Sequence, residues 1–149
     1  MTSDHYITTY NKALDLISRR EHSAFELKQK LYKRYPDQDS EIEEVIHKLI
    51  ENKLLDDARF AEMYTIARSK KGFGPKKIEL ELVRKHVKSE YIFQALQVIE
   101  DWTQVLNDVL IKKYHNQPIR DYKDLMQRKK FVYNRGFSQD QIESVLSEP

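Results

Sequence analysis

Apolar residues at Ile42, Val45, Ile46 and Leu49 are spaced i, i+3, i+4, i+7, which places them on one face of a helix. Fifty residues on, the same face returns as Ile92, Ala95, Leu96 and Ile99, and again as Ile142, Val145 and Leu146. Upstream, Tyr10 and Leu14 are matched by Phe60 and Tyr64, then by Leu110 and Tyr114. A third pair lies between them: Leu27 and Leu31, then Ile78 and Leu82. In its last copy Val132 is in place, but Arg128 stands where an apolar residue is expected. The periodicity predicts an all-α chain of nine helices in three tandem three-helix repeats. The expected spans are 4–20, 23–35 and 40–53; 56–71, 75–87 and 89–100; 101–115, 121–135 and 138–147. The repeats are residues 1–55, 56–100 and 101–149. One such unit has a small core, so stacked neighbours are expected to form an elongated, curved array. The alternative, a single globular helical domain, would require the fifty-residue register to be accidental.

Local signals agree with this division. Ser23-Ala24-Phe25-Glu26, Ser40-Glu41-Ile42-Glu43 and Ser138-Gln139-Asp140-Gln141 read as capping boxes, in which a hydroxyl and an acidic or amide side chain satisfy orphan N–H groups reciprocally. Ser89 holds the matching place in the middle copy without the acidic partner. Pro36 follows an expected helix end at Tyr35, Pro75 suits a first helical position after Gly72-Phe73-Gly74, and Gly136 suits the position past a helix end. Asp56-Asp57 reads as an N-cap and dipole partner for the helix that carries Phe60. Only three glycines and four prolines in 149 residues argue against a strand-and-turn fold.

Composition removes several function classes. There is no cysteine, so no disulfide framework and no thiolate zinc site. The longest apolar runs, such as Val109-Leu110-Ile111, cannot span a membrane, and Met1–Tyr10 lacks the basic head and apolar stretch of a signal peptide, so the cytoplasm is the expected location. No phosphate-cradling glycine loop and no nucleophile elbow is present. The five histidines are scattered, with none paired at i+4, so no metal or other cofactor is expected and the chain does not read as an enzyme. Trp102, three and four residues before Val105 and Leu106, reads as core in preference to a stacking platform; Tyr133 is the other aromatic weighed for stacking.

Charge is unevenly distributed along the chain. Residues 1–67 hold ten lysines and arginines against thirteen acidic residues, whereas 68–149 hold sixteen against eleven. Two blocks, 68–88 and 112–135, each carry eight basic and two acidic side chains. Arg68, Lys70, Lys71, Lys76, Lys77, Arg84 and Lys85 bracket the Gly-Pro turn and follow on the second helix of the middle unit; Arg128, Lys129, Lys130 and Arg135 do so in the last unit. Stacking would align them into a positive face for an acidic filament surface or a nucleic-acid backbone. A helix-turn-helix reader of duplex sequence is disfavoured. The third helices that would enter the major groove begin Ser40-Glu41-Ile42-Glu43-Glu44 and carry Asp140 and Glu143. Weak backbone binding to single- or double-stranded DNA remains compatible with the second helices.

Ala13-Leu14 with Arg20, then Ser23, Glu26-Leu27 and Leu31, resembles the opening of the RecX family of recombination regulators. Leu55-Asp56-Asp57 with Phe60-Ala61, Arg68, Gly74, Ile78 and Glu81-Leu82 resembles its central block. Arg128-Lys129, Phe131, Arg135-Gly136-Phe137 and Ile142 resemble its C-terminal signature. The resemblance spans residues 10–146. It departs at Tyr35-Pro36 and His86-Val87, where members commonly have glycine, and at Asn134-Arg135-Gly136-Phe137, which is one arginine short. The resemblance implies tandem three-helix repeats and a regulator of homologous recombination, DNA repair and the SOS response. Such a protein binds the RecA filament and inhibits RecA ATPase, strand exchange and filament growth from the filament groove. The eleven cations from Arg68 to Arg135 named above are the expected RecA and DNA contacts, carried by a monomer. A general nucleic-acid-binding helical module without RecA specificity is the rival reading.

Overall fold

A computed structural model describes residues 3–147. These residues form nine helices: α1 (Asp4–Arg19), α2 (Ala24–Arg34), α3 (Asp39–Glu51), α4 (Asp57–Lys70), α5 (Pro75–Arg84), α6 (Ser89–Leu96), α7 (Trp102–Tyr114), α8 (Tyr122–Asn134) and α9 (Gln139–Val145). The substantial helix packings all fall within the triplets α1–α3, α4–α6 and α7–α9. Each triplet has its own core. Leu27, Leu31, Ile42, Ile46 and Leu49 fill the first; Phe60, Ile78, Leu82, Ile92 and Ala95 the second; Leu106, Leu125, Val132, Phe137 and Ile142 the third. Trp102 packs against both the second and third cores, as its core reading requires. Three small cores leave more surface than one large one: 9753 Å² is accessible, against about 8000 Å² for a compact chain of this mass. No described helix is long and apolar enough to cross a membrane.

Most helix ends follow the sequence signals. Ser23 and Ser138 form complete capping boxes with Glu26 and Gln141, Asp56 accepts from the Arg59 N–H, and Pro75 opens α5. Ser40 does not cap α3. The cap position is Gln38, which makes no capping bond because its amide is engaged by α1: Thr9 Oγ1 donates to Gln38 Oε1 at 3.0 Å, and Nε2 meets His5 Nδ1 at 2.9 Å. α6 ends at Leu96, short of the expected residue 100, where the Trp102 indole N–H takes the Leu96 carbonyl at 3.2 Å. α5 ends at Arg84 and not at 87 because His86 turns left-handed, with φ +59°. That conformation explains why glycine suits this position. At Tyr35, where φ is −128°, no such demand exists.

Arg128 repairs the worn third copy. It is 8% exposed and sits where the other triplets have Leu27 and Ile78. Its Nε and Nη2 donate to the Asp124 carboxylate, itself buried, and Nη1 and Nη2 donate to the carbonyls of Gln117 and Pro118. The guanidinium lies over the Tyr114 ring at 4.4 Å. The backbone N–H of Arg120 and the Arg128 guanidinium hold the Asp124 carboxyl below the usual aspartate range. A charged residue is stable here because every polar atom around it is paired, and it pins the α7–α8 loop.

Candidate partner-binding face at the repeat junctions

The triplets meet through loops and helix ends. At the first junction, Asp57 accepts from the Ala24 N–H at 2.8 Å, Lys85 Nζ donates to Glu26 at 2.9 Å and Arg59 Nε donates to Glu21 at 2.7 Å. Arg59 also donates to the carbonyls of Lys53 and Leu54 in the connecting turn. The His86 ring stacks on Phe25 with centroids 3.6 Å apart. A left-handed non-glycine residue costs roughly 1–2 kcal/mol, and an aromatic stack returns about 0.5–1.5. Burial pushes the Glu26 carboxyl up, but hydrogen bonds from Lys85, the Ser23 N–H and Arg20 outweigh it and hold the group below 4.5. Burial pushes Asp57 up, against the Ala24 hydrogen bond.

At the second junction the main chains touch. The Gly74 N–H donates to the Arg135 carbonyl and the Lys76 N–H to the Gly136 carbonyl, both at 2.8 Å. A Cβ on Gly74 would lie 2.5 Å from the Gly136 carbonyl carbon, and one on Gly136 would lie 2.4 Å from Lys77 Cβ. Gly136 also has φ +102°, a conformation that L side chains rarely adopt. Arg135 Nη1 donates to the Lys71 carbonyl at 3.0 Å, and its guanidinium lies over Phe73 and Phe131. The Gly-Phe-Gly turn and the Arg-Gly-Phe segment, read from sequence as helix punctuation, are thus the two halves of an inter-repeat clamp.

Two hollows flank this clamp. One, about 630 Å³, is lined by Lys70, Lys71, Val105, Val109, Lys112 and Lys113 among others. The other, about 530 Å³, is lined by Lys76, Lys77, Leu80, Arg84 and Tyr133 among others. Tyr133 is 62% exposed.

The eleven cations singled out from sequence divide into two groups. Lys70, Lys71, Lys76, Arg84 and Lys130 are exposed and pair with no carboxylate among the described residues. Lys77 is half-buried, its ammonium 4.9 Å from the Phe73 ring centre. The others are held by partners within the protein. Arg68 donates twice to Glu81 and lies over Phe73 at 3.9 Å; Glu81 also accepts from Tyr64, whose hydroxyl is pushed up to about 12 by burial and by that bond. Lys85 belongs to the first junction, Lys129 pairs with Glu143 at 3.1 Å, Arg135 clamps the second junction and Arg128 is core. Lys112 and Lys113, outside the set, join the exposed group in the first hollow.

A family model described as "RecX, first three-helix domain" matches residues 10–49, and one described as "RecX, second three-helix domain" matches residues 56–96. The chain belongs to the RecX family. It is 35% identical over 138 residues to a regulatory protein RecX of Vibrio vulnificus, covering 91% of this chain and 89% of that protein. It is 38% identical over 136 residues to the regulatory protein RecX of Pseudomonas putida strain GB-1, covering 91% and 86%. The crystal structure of RecX from Lactobacillus salivarius superposes with a TM-score of 0.77 at 27% identity, covering 96% of this chain and 95% of that one. A second RecX crystal structure, at 21% identity and TM-score 0.78, shares the fold. RecX proteins are regulatory. In this chain the Leu55-Asp56-Asp57 and Arg135-Gly136-Phe137 blocks each contribute to a junction between triplets, through Asp57 on the Ala24 N–H and through the Arg135 and Gly136 carbonyls.

Proposed function

We propose that this RecX chain regulates RecA, binding the RecA–DNA filament and inhibiting ATP hydrolysis, strand exchange and filament growth from within the filament groove. The units 1–55, 56–100 and 101–149 span successive protomers, and the chain acts in the cytoplasm as a monomer. It is a binding protein with no catalytic role, cofactor or metal. The observation that carries the reading is the set of exposed, carboxylate-free cations around the second junction: Lys70, Lys71, Lys76, Arg84, Lys112 and Lys113. Arg68, Lys85, Arg128 and Lys129, each paired with a carboxylate of the fold, and Arg135, bound to the Lys71 carbonyl, act by holding this face in shape.

RecA ATPase on single-stranded DNA should fall on adding sub-stoichiometric protein; no change at any ratio overturns the reading. Reversing Lys70, Lys71, Lys76 and Lys77 together to glutamate should raise the protein needed for half-inhibition by about tenfold or more, because like charges now face the partner. Circular dichroism should show helicity intact.

One observation favours the second reading, a general nucleic-acid-binding module: Tyr133 stands open beside Lys76, Lys77 and Arg84, a combination suited to stacking a base beside a held phosphate. Its signature is tight binding to bare DNA that weakens steeply with salt, without effect on RecA.

A further inference from the structure

We infer that the hollow between α4, α7 and α8 is a docking slot for an acidic peptide segment of the protein partner that carries one apolar side chain. Its rim holds Lys70 and Lys71 from the end of α4 and Lys112 and Lys113 from the end of α7, all exposed. Asp108 is the one carboxylate in the lining, and it accepts from Gln104 Nε2 at 2.9 Å. Four full positive charges outweigh it together with the partial negative charge of the two helix ends, each about half a charge. The floor is apolar: Val105 and Val109 face the space. At about 630 Å³ the slot has the capacity of a ligand pocket rather than of a surface dimple.

The chemistry selects peptide over nucleic acid. A phosphodiester would satisfy the lysines but offer nothing to the valine floor. A base would need an open aromatic face, and the only ring here, Phe131, is already covered by Lys113 at 5.0 Å and Arg135 at 5.4 Å. An aspartate- or glutamate-rich segment with a leucine-like residue satisfies both halves of the site. Because the walls belong to two different triplets, an occupant would also brace the second junction.

The inference rests on the regulatory reading only in that the partner is a protein, and it is tested without RecA. Fluorescence polarisation of the full chain would compare a short labelled peptide of aspartate and glutamate around a central leucine with its alanine counterpart and with labelled oligothymidylate. Leucine should bind about tenfold tighter than alanine, the gain expected from burying part of an aliphatic side chain. Val105→Asn should erase that difference, and Lys70→Glu with Lys112→Glu should weaken both peptides. Equal binding of the two peptides to the unaltered chain, or displacement of the peptide by oligothymidylate at equal concentration, would overturn the slot. Loss of the slot with RecA inhibition intact leaves the regulatory reading standing; a RecA ATPase indifferent to the unaltered chain overturns that reading whatever the peptides do.

Discussion

Between the first and second triplets the joint is made by side chains: Lys85 on Glu26, Arg59 on Glu21, Asp57 on the Ala24 N–H, and His86 stacked on Phe25. Between the second and third it is made by main chain on main chain, with Gly74 against Gly136 at a separation that admits no Cβ. Ion pairs at a partly exposed surface respond to salt, pH and substitution of either partner. Amide-to-carbonyl bonds closed by apposed glycines respond to neither salt nor pH, but one added methyl disrupts them. The molecule thus has one adjustable joint and one fixed joint, and Lys70, Lys71, Lys76, Arg84, Lys112 and Lys113 stand exposed around the fixed one.

The largest effect should come from Gly136→Ala. The methyl would collide with Lys77, and the residue would be forced to hold φ +102°. Roughly 3 kcal/mol of stability should be lost, from left-handed strain plus overpacking. Urea unfolding would measure it, and small-angle scattering should show a larger radius as the third triplet swings free. A loss below about 1 kcal/mol would mean that the seam yields and is no fixed joint.

An intermediate effect is expected from Glu26→Gln, which leaves Lys85 and Arg20 without their carboxylate. A cost of about 1–2 kcal/mol follows from losing charge-assisted hydrogen bonds. The Glu26 part of this joint should weaken in acid. Because the Glu26 carboxyl lies below its ordinary 4.5 in the folded protein, its contribution is full above that value and disappears as pH falls through the folded value. Hydrogen exchange at low pH should therefore rise around residues 21–26 and 85–88 before it rises at 72–76 and 134–137; the reverse order would refute the assignment. Glu21→Gln should have the smallest effect. Its pair with Arg59 is substantially exposed and Arg59 keeps its two carbonyl bonds, so about 0.5 kcal/mol should be lost, vanishing in molar salt.

The helices were legible because each buries one face, and a buried face repeats at helical spacing whatever its neighbours do. The caps at Ser23, Asp56 and Ser138 were legible for the same local reason. Ser40 misled because Gln38 is drawn into contact with α1, a relation across 29 residues that leaves no local trace. The joints were invisible on similar grounds: Lys85 and Glu26 are 59 residues apart, and a glycine required by a neighbouring backbone looks like one required by a turn. Net charge located the basic region but not which cations stay exposed. Arg128 was the exception that carried its own signal, since it occupies an apolar position of the repeat and is buried accordingly.

That buried guanidinium has a consequence for how the chain finds its own fold. Three similar bundles in tandem invite exchange, with the second helix of one unit inserting into the pit left open in another. The helix bearing Arg128 carries Asp124 with it, four residues away. The Gln117 and Pro118 carbonyls and the Tyr114 ring, however, come from the α7–α8 loop and the end of α7, so the full set of partners closes only when α8 folds back on α7. Lodged against the hydrocarbon interior of either sibling bundle, the same helix would bury an ion pair stripped of those carbonyls and of the ring, at a cost of several kcal/mol, so the irregular copy acts as a key against scrambled assembly.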